Sequence, residues 1–216
     1  IPHWTESNKW RSNKTTARHF TQIYQCIQMI AWEEINGIET DMSMAPERTL
    51  LYMRDGQKPN SGKITLSFST SFSGASWLID QAREWAGAVD VIVVGDDQER
   101  MQMRDFLDQH KQAIGARVSV HFVHRRKNLD ETLFMHYLHK LSADISRTDS
   151  ILLAFDIDAL SISLQTYKIL ASAPSERFTV IHSKSAREIG LLTTKKNAQR
   201  YAAEGKSIEE TAKLLK

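Results

Sequence analysis

From Lys63 onward the chain alternates short apolar runs with longer stretches in which apolar residues recur every three or four positions. The first pattern belongs to strands and the second to amphipathic helices. Taken in order, it predicts strands over 63–69, 89–94, 117–123, 150–155 and 178–181, separated by helices over 75–85, 98–114, 129–146 and 161–171. Val89 to Val94 and Ile151 to Phe155 are apolar almost throughout, so they are expected at the sheet centre, covered on both faces. Val118, Val120 and Phe122 alternate with Ser119 and His121, which suits a strand nearer an edge. His121, His136 and His139 read as surface or interface residues.

Strands alternating with helices of this length favour right-handed crossovers and parallel pairing. The expected fold class is α/β, a three-layer Rossmann-like domain around a mainly parallel sheet of about five strands. Ahead of it, Phe20, Ile23, Ile27 and Ile30 recur at helical spacing in a helix over about 15–36 that stops near Gly37. Trp4 and Trp10 lie in the preceding arm, and Thr49 to Met53 reads as a short additional strand. The division is an arm and helix over 1–45, the α/β domain over 46–190 and a basic helical extension over 191–216. The helix over 15–36 has a stripe wide enough to pair two subunits, so a homo-oligomer formed through it, serving as a structural assembly module, is one expectation.

Each predicted strand ends in polar residues. In a parallel open sheet these ends share one edge, where ligands bind. After the first main strand, Ser69, Thr70, Ser71, Ser73 and Gly74 offer hydroxyls and backbone N–H groups at the start of the predicted 75–85 helix, a combination that suits an anion. Neither the P-loop nor the dinucleotide glycine pattern is present. Arg125 and Arg126 after the third strand, and Lys184 after the fifth, add cations suited to phosphate. The expected small ligand bears phosphate. The competing reading is that the serines only cap a helix.

Asp96 and Asp97 follow the second strand, and Asp156 and Asp158 follow the fourth. Carboxylates from neighbouring strand ends can hold Mg²⁺ with substrate phosphate completing its shell. A hydrophobic strand running into Asp156-Ile157-Asp158 before a helix resembles the paired-aspartate element of Toprim domains, over about ten residues. That resemblance implies a Mg²⁺-dependent phosphodiester or phosphoryl-transfer enzyme. Where Toprim domains carry a catalytic glutamate, this chain has Gly95-Asp96-Asp97, and Ser161 stands where a glycine often follows. An aspartate at a strand end also serves as a helix N-cap.

The net charge is only +2 over 216 residues, but it is uneven: from His182 to Lys216 eight basic residues face four acidic ones. Lys195, Lys196, Arg200 and Lys206 are the candidate nucleic-acid contacts in this basic segment. Near its end, Ser207 and Glu210 form a capping-box pattern ahead of Thr211-Ala212-Lys213-Leu214-Leu215. The segment resembles the first helix of a helix-turn-helix, which implies DNA as a partner. One cysteine, Cys26, excludes an internal disulfide and a thiolate zinc site. With no apolar run of membrane-spanning length, a cytoplasmic protein that does not enter membranes is expected. A chain opening on Ile1 reads as a fragment. The favoured function is a DNA-associated regulatory or accessory protein whose nucleotide- or anion-binding α/β domain leads into a DNA-binding element.

Overall fold

The computed structural model describes residues 51–54, 56, 64–76, 84–125, 131–155, 157, 160, 162–173, 179–182 and 187–204. The chain divides into two compact units, Ile1–Tyr52 and Met53–Lys216. The arm and helix expected over 1–45 lie outside the described residues, as does the pattern around Ser207 and Glu210.

The strands are β1 (Leu51–Arg54), β2 (Ile64–Thr70), β3 (Val89–Gly95), β4 (Val118–His124), β5 (Ser150–Ala154), β6 (Thr179–His182) and β7 (Glu188–Thr194). The helices are α1 (Asp97–Gln109), α2 (Glu131–Ile145), α3 (Leu164–Ser172) and α4 (Lys195–Glu204). The strands form one sheet in the order β1-β4-β3-β2-β5-β7-β6. Strands β4, β3, β2 and β5 are parallel, whereas β7 runs antiparallel to both β5 and β6. The α/β class stands, but the sheet has seven strands, not five, and a mixed edge. The expected boundary at residue 190 falls inside β7, so the basic extension begins as a strand of the sheet.

From β2 the chain steps outward to β3 and β4, then returns past β2 to β5. Reversing direction while keeping crossovers right-handed carries the returning helix, α2, onto the other face. There, Ala143 of α2 and Ala198 of α4 pack on Ile151, Leu153 and Leu191. The register places Ser67, Asp90 and Ser119 side by side on this same face, with Thr65, His121 and Thr193 above and below them. All six are buried. The sheet is therefore polar where α2 crosses it and apolar on its other side, where Leu66, Val89, Val91, Val120, Phe122 and Leu152 lie.

Two of the expected surface positions are thereby corrected. His121 is buried on β4, which lies one strand in from the β1 edge, in keeping with the expected place nearer an edge. Ser119 is buried too, and its hydroxyl accepts a hydrogen bond from Gly56 N at 2.9 Å, a partner that alternation along β4 cannot reveal. His139 is also largely enclosed, with its ring 4.9 Å from that of Phe155.

Of the helix expected over 75–85, only the two ends fall among the described residues. Residues Phe72–Ser76 form a 3-10 turn, Glu84 lies in a turn, and 77–83 fall outside the described residues. Trp85, fully buried, donates from Nε1 to Ile64 O at 3.3 Å and meets Tyr167 of α3 edge-on at 5.0 Å. The other helices start where local chemistry dictates. Asp96 caps α1, accepting from Glu99 N at 2.9 Å while its own N–H donates to Glu99 Oε2 at 3.0 Å. Gly95 leaves room for that carboxylate, since a Cβ there would sit 2.5 Å from Glu99 Oε2. Ser163 caps α3 by accepting from Thr166 N at 3.0 Å.

Candidate functional site at the carboxyl edge of the sheet

Beyond the buried polar face, the sheet and the first half of α2 diverge into a crevice of about 460 Å³. Its strand-side lining is Ser69, Thr70 and Ser71 from the end of β2, Val94 from β3 and Arg125 just past β4. Glu131, Phe134, Met135 and Leu138 of α2 form the opposite wall. The backbone pattern accounts for the convergence. Ser69 continues the face that carries Ser67, Val94 continues that of Ile92, and both strands end together. The ladder reaches one residue past β4, with Arg125 N donating to Gly95 O at 2.8 Å.

The structure thus gathers Ser69, Thr70, Ser71 and Arg125, four of the expected ligand residues, around one space. Ser73 and Gly74 lie in the adjoining 3-10 turn: Ser71 and Ser73 hydroxyls are 2.7 Å apart, and Gly74 N donates to Ser71 O at 3.1 Å. A Cβ on Gly74 would fall 2.1 Å from Thr70 Oγ1, so only glycine lets the Thr70 side chain rest over the turn. Residues 77–83 of the helix expected behind these hydroxyls lie outside the described residues. Among the described residues, the polar end of the crevice consists of hydroxyls and the Arg125 guanidinium. Arg126 and Lys184 lie outside the described residues.

Of the carboxylates expected to hold Mg²⁺, Asp96 is engaged as the α1 cap. Asp97 lies 3.4 Å from Arg100 and 3.7 Å from His124 Nε2. Asp156 and Asp158 lie outside the described residues. Among the described residues, no group of three or more His, Cys, Asp or Glu side chains is arranged to hold a metal ion.

Among the expected nucleic-acid contacts, Lys195 is committed elsewhere: Nζ donates to Asp144 O at 2.9 Å and Ser146 O at 3.0 Å. It satisfies carbonyls at the carboxyl end of α2, a usual role for a cation there. Lys196, the next residue, is exposed, Arg200 lies within α4, and Lys206 is outside the described residues.

Reading the sequence missed the α2 wall, because Phe134 and Leu138 at helical spacing look like any core-facing stripe. What sets them apart is that α2 begins beyond the ends of the strands. Its first half overhangs the carboxyl edge and faces a gap.

Fold and crevice together give an α/β domain with a mixed seven-stranded sheet, a mainly parallel core and a ligand-sized opening at the carboxyl ends of β2, β3 and β4. No family model and no curated protein matches the chain. Among solved structures it is similar to the glycosyltransferase GlyE of Streptococcus pneumoniae TIGR4, at 12% sequence identity and a TM-score of 0.38. The match covers 66% of this chain and 36% of that chain, about a third of its length. Among the described residues no helix is long and apolar enough to cross a membrane.

Proposed function

We propose that this domain binds a phosphate-bearing small molecule in the carboxyl-edge crevice. The observation that supports it is the convergence of Arg125 with Ser69, Thr70 and Ser71 on one opening. A guanidinium presents paired donors matched to phosphate oxygens, and hydroxyls adapt to the remaining lone pairs. The test is calorimetric titration with inorganic pyrophosphate at low ionic strength. Binding that weakens at least about tenfold in Arg125→Ala, the scale of one lost charge-assisted hydrogen bond, supports the reading; unchanged affinity removes it.

The reading extends to a regulatory role linked to DNA. Helix α2 supplies one wall of the crevice, and its far end is fastened to α4 by Lys195 and by Gln199 Nε2, which donates to Asp144 Oδ1 at 2.7 Å. A ligand that repositions α2 would thus be felt by α4, which leads in sequence to Lys206 and the capping-box pattern at Ser207. Duplex DNA binding that falls steeply with added salt is expected. Its absence would leave the crevice reading intact and remove the DNA role.

A Mg²⁺-dependent phosphoryl-transfer activity is the alternative, resting on Asp156 and Asp158. They follow β5 in sequence, and β5 ends beside β2, with Ala154 opposite Phe68. Mg²⁺-dependent hydrolysis of a nucleotide or phosphodiester, abolished by Asp156→Ala together with Asp158→Ala, is its signature.

A further inference from the structure

We infer that the ligand of this crevice is a nucleotide whose base lies on the ring of Phe134, an inference that rests on the phosphate-binding reading above. The opening is far larger than a phosphate group needs and lies within the range of small-molecule sites. Its chemistry is also divided. The strand ends supply hydroxyls and Arg125, while Val94, Phe134, Met135 and Leu138 form an apolar surface. A bare polyphosphate would satisfy the first group and leave the second in water. A ligand with a flat apolar portion covers both.

Phe134 is suited to be that platform because its ring is held in place. It stacks on Tyr137, one turn along α2, with centroids 6.3 Å apart and planes inclined by 22°. Tyr137 is itself buried and fixed by the core. An aromatic ring oriented before the ligand arrives loses little freedom on binding. Stacking of a base on such a ring is sequence-tolerant and worth a sizeable fraction of a nucleotide's affinity. Glu131, at the start of α2, adds a requirement. A carboxylate accepts hydrogen bonds and repels anions, so the part of the ligand nearest to it must carry donors, as a ribose diol or an exocyclic amine does.

The test is titration of the whole chain with pyrophosphate, ADP, GDP, CDP and UDP at one ionic strength. At least one nucleoside diphosphate should bind about tenfold or more tightly than pyrophosphate, the scale expected of one stacked base. Phe134→Leu, which keeps an apolar side chain at this position, should remove that advantage and leave pyrophosphate affinity unchanged; Phe134→Trp should preserve it. If no diphosphate exceeds pyrophosphate, or if Phe134→Leu weakens both equally, the nucleotide inference fails while phosphate binding stands. If neither pyrophosphate nor any nucleotide binds, both readings fail.

Discussion

The guanidinium of Arg147 lies 2.9 Å from the carboxylate of Asp90, at the edge of the sheet opposite the crevice. Asp90 is fully buried on β3, and Arg147 follows the end of α2 by two residues. The same guanidinium donates to Val89 O at 2.9 Å and Arg117 O at 2.6 Å. One side chain therefore holds the amino ends of β3 and β4 against the end of the crossover helix. Burial outweighs the attraction of Arg147 and pushes the Asp90 pKa up to about 6.

Arg147→Met should be strongly destabilising, because it strands a buried carboxylate and two carbonyls. Breaking one partner of such a pair costs about 3–5 kcal/mol. The cost should depend on pH. At pH 8 Asp90 is ionised and loses its counter-charge; at pH 5, below its raised pKa, it holds a proton and the pair is already weakened. Urea denaturation at the two pH values should show the larger loss at pH 8. Equal losses would mean that the stranded group is not Asp90.

Asp90 and His139 should pull the pH profile of stability in opposite directions. A carboxyl whose folded pKa is raised contributes stability that is full below its unfolded value and is lost as pH rises through about 6. His139 is shifted the other way, down to about 4, by burial and then by the neighbouring His136. Its contribution is full above the unfolded histidine value and is lost as pH falls through about 4. Asp90→Asn should therefore steepen the loss of thermal stability between pH 6 and 4, and His139→Leu should flatten it. Melting temperatures across that range would decide. Parallel profiles for both variants and the parent would contradict the assignment.

These two groups also show where the sequence could be read and where it could not. Asp90 sits in a run of valines and isoleucine that marks a central strand, and that assignment needed only neighbours in sequence. Its partner is 57 residues away, brought close by a crossover helix whose direction depends on strand order. The same applies to Ser119: alternation placed its strand nearer an edge, but its burial beside Asp90 and its bond from Gly56 N join residues distant in sequence. Strand β7 was missed because Gly190 interrupts a short apolar run, and its identity comes from antiparallel pairing with β5. In the crevice, hydroxyls and Arg125 were legible as polar strand ends. The aromatic wall was not, because periodicity shows which side of a helix is apolar and not what that side faces.

The Asp96 carboxylate should behave as a cap. Removing its acceptor in Asp96→Ala should cost about 1 kcal/mol of stability, whereas Asp96→Ser, which can still accept from Glu99 N, should recover most of it. Chemical denaturation of the three proteins measures both effects. If serine is as damaging as alanine, the carboxylate has a role that capping does not describe.

Lys195 and Lys196 are neighbours with different expected roles, and the pair separates a structural cation from one available to nucleic acid. Lys195→Met removes two donors from the carbonyls of Asp144 and Ser146. It should lower stability by about 1–3 kcal/mol, the cost of leaving such acceptors unsatisfied. Lys196 is exposed, so Lys196→Met should stay within about 0.5 kcal/mol of the parent. In DNA titrations over a range of salt the ranking should invert. A lysine that contacts phosphate contributes about one unit to the slope of log affinity against log salt. Lys196→Met should reduce the slope by that amount, while Lys195→Met leaves it unchanged under conditions where the protein is folded. A reduced slope in Lys195→Met alone would mean that its ammonium leaves the α2 carbonyls to meet DNA. No change in either variant would take the start of α4 out of any DNA contact.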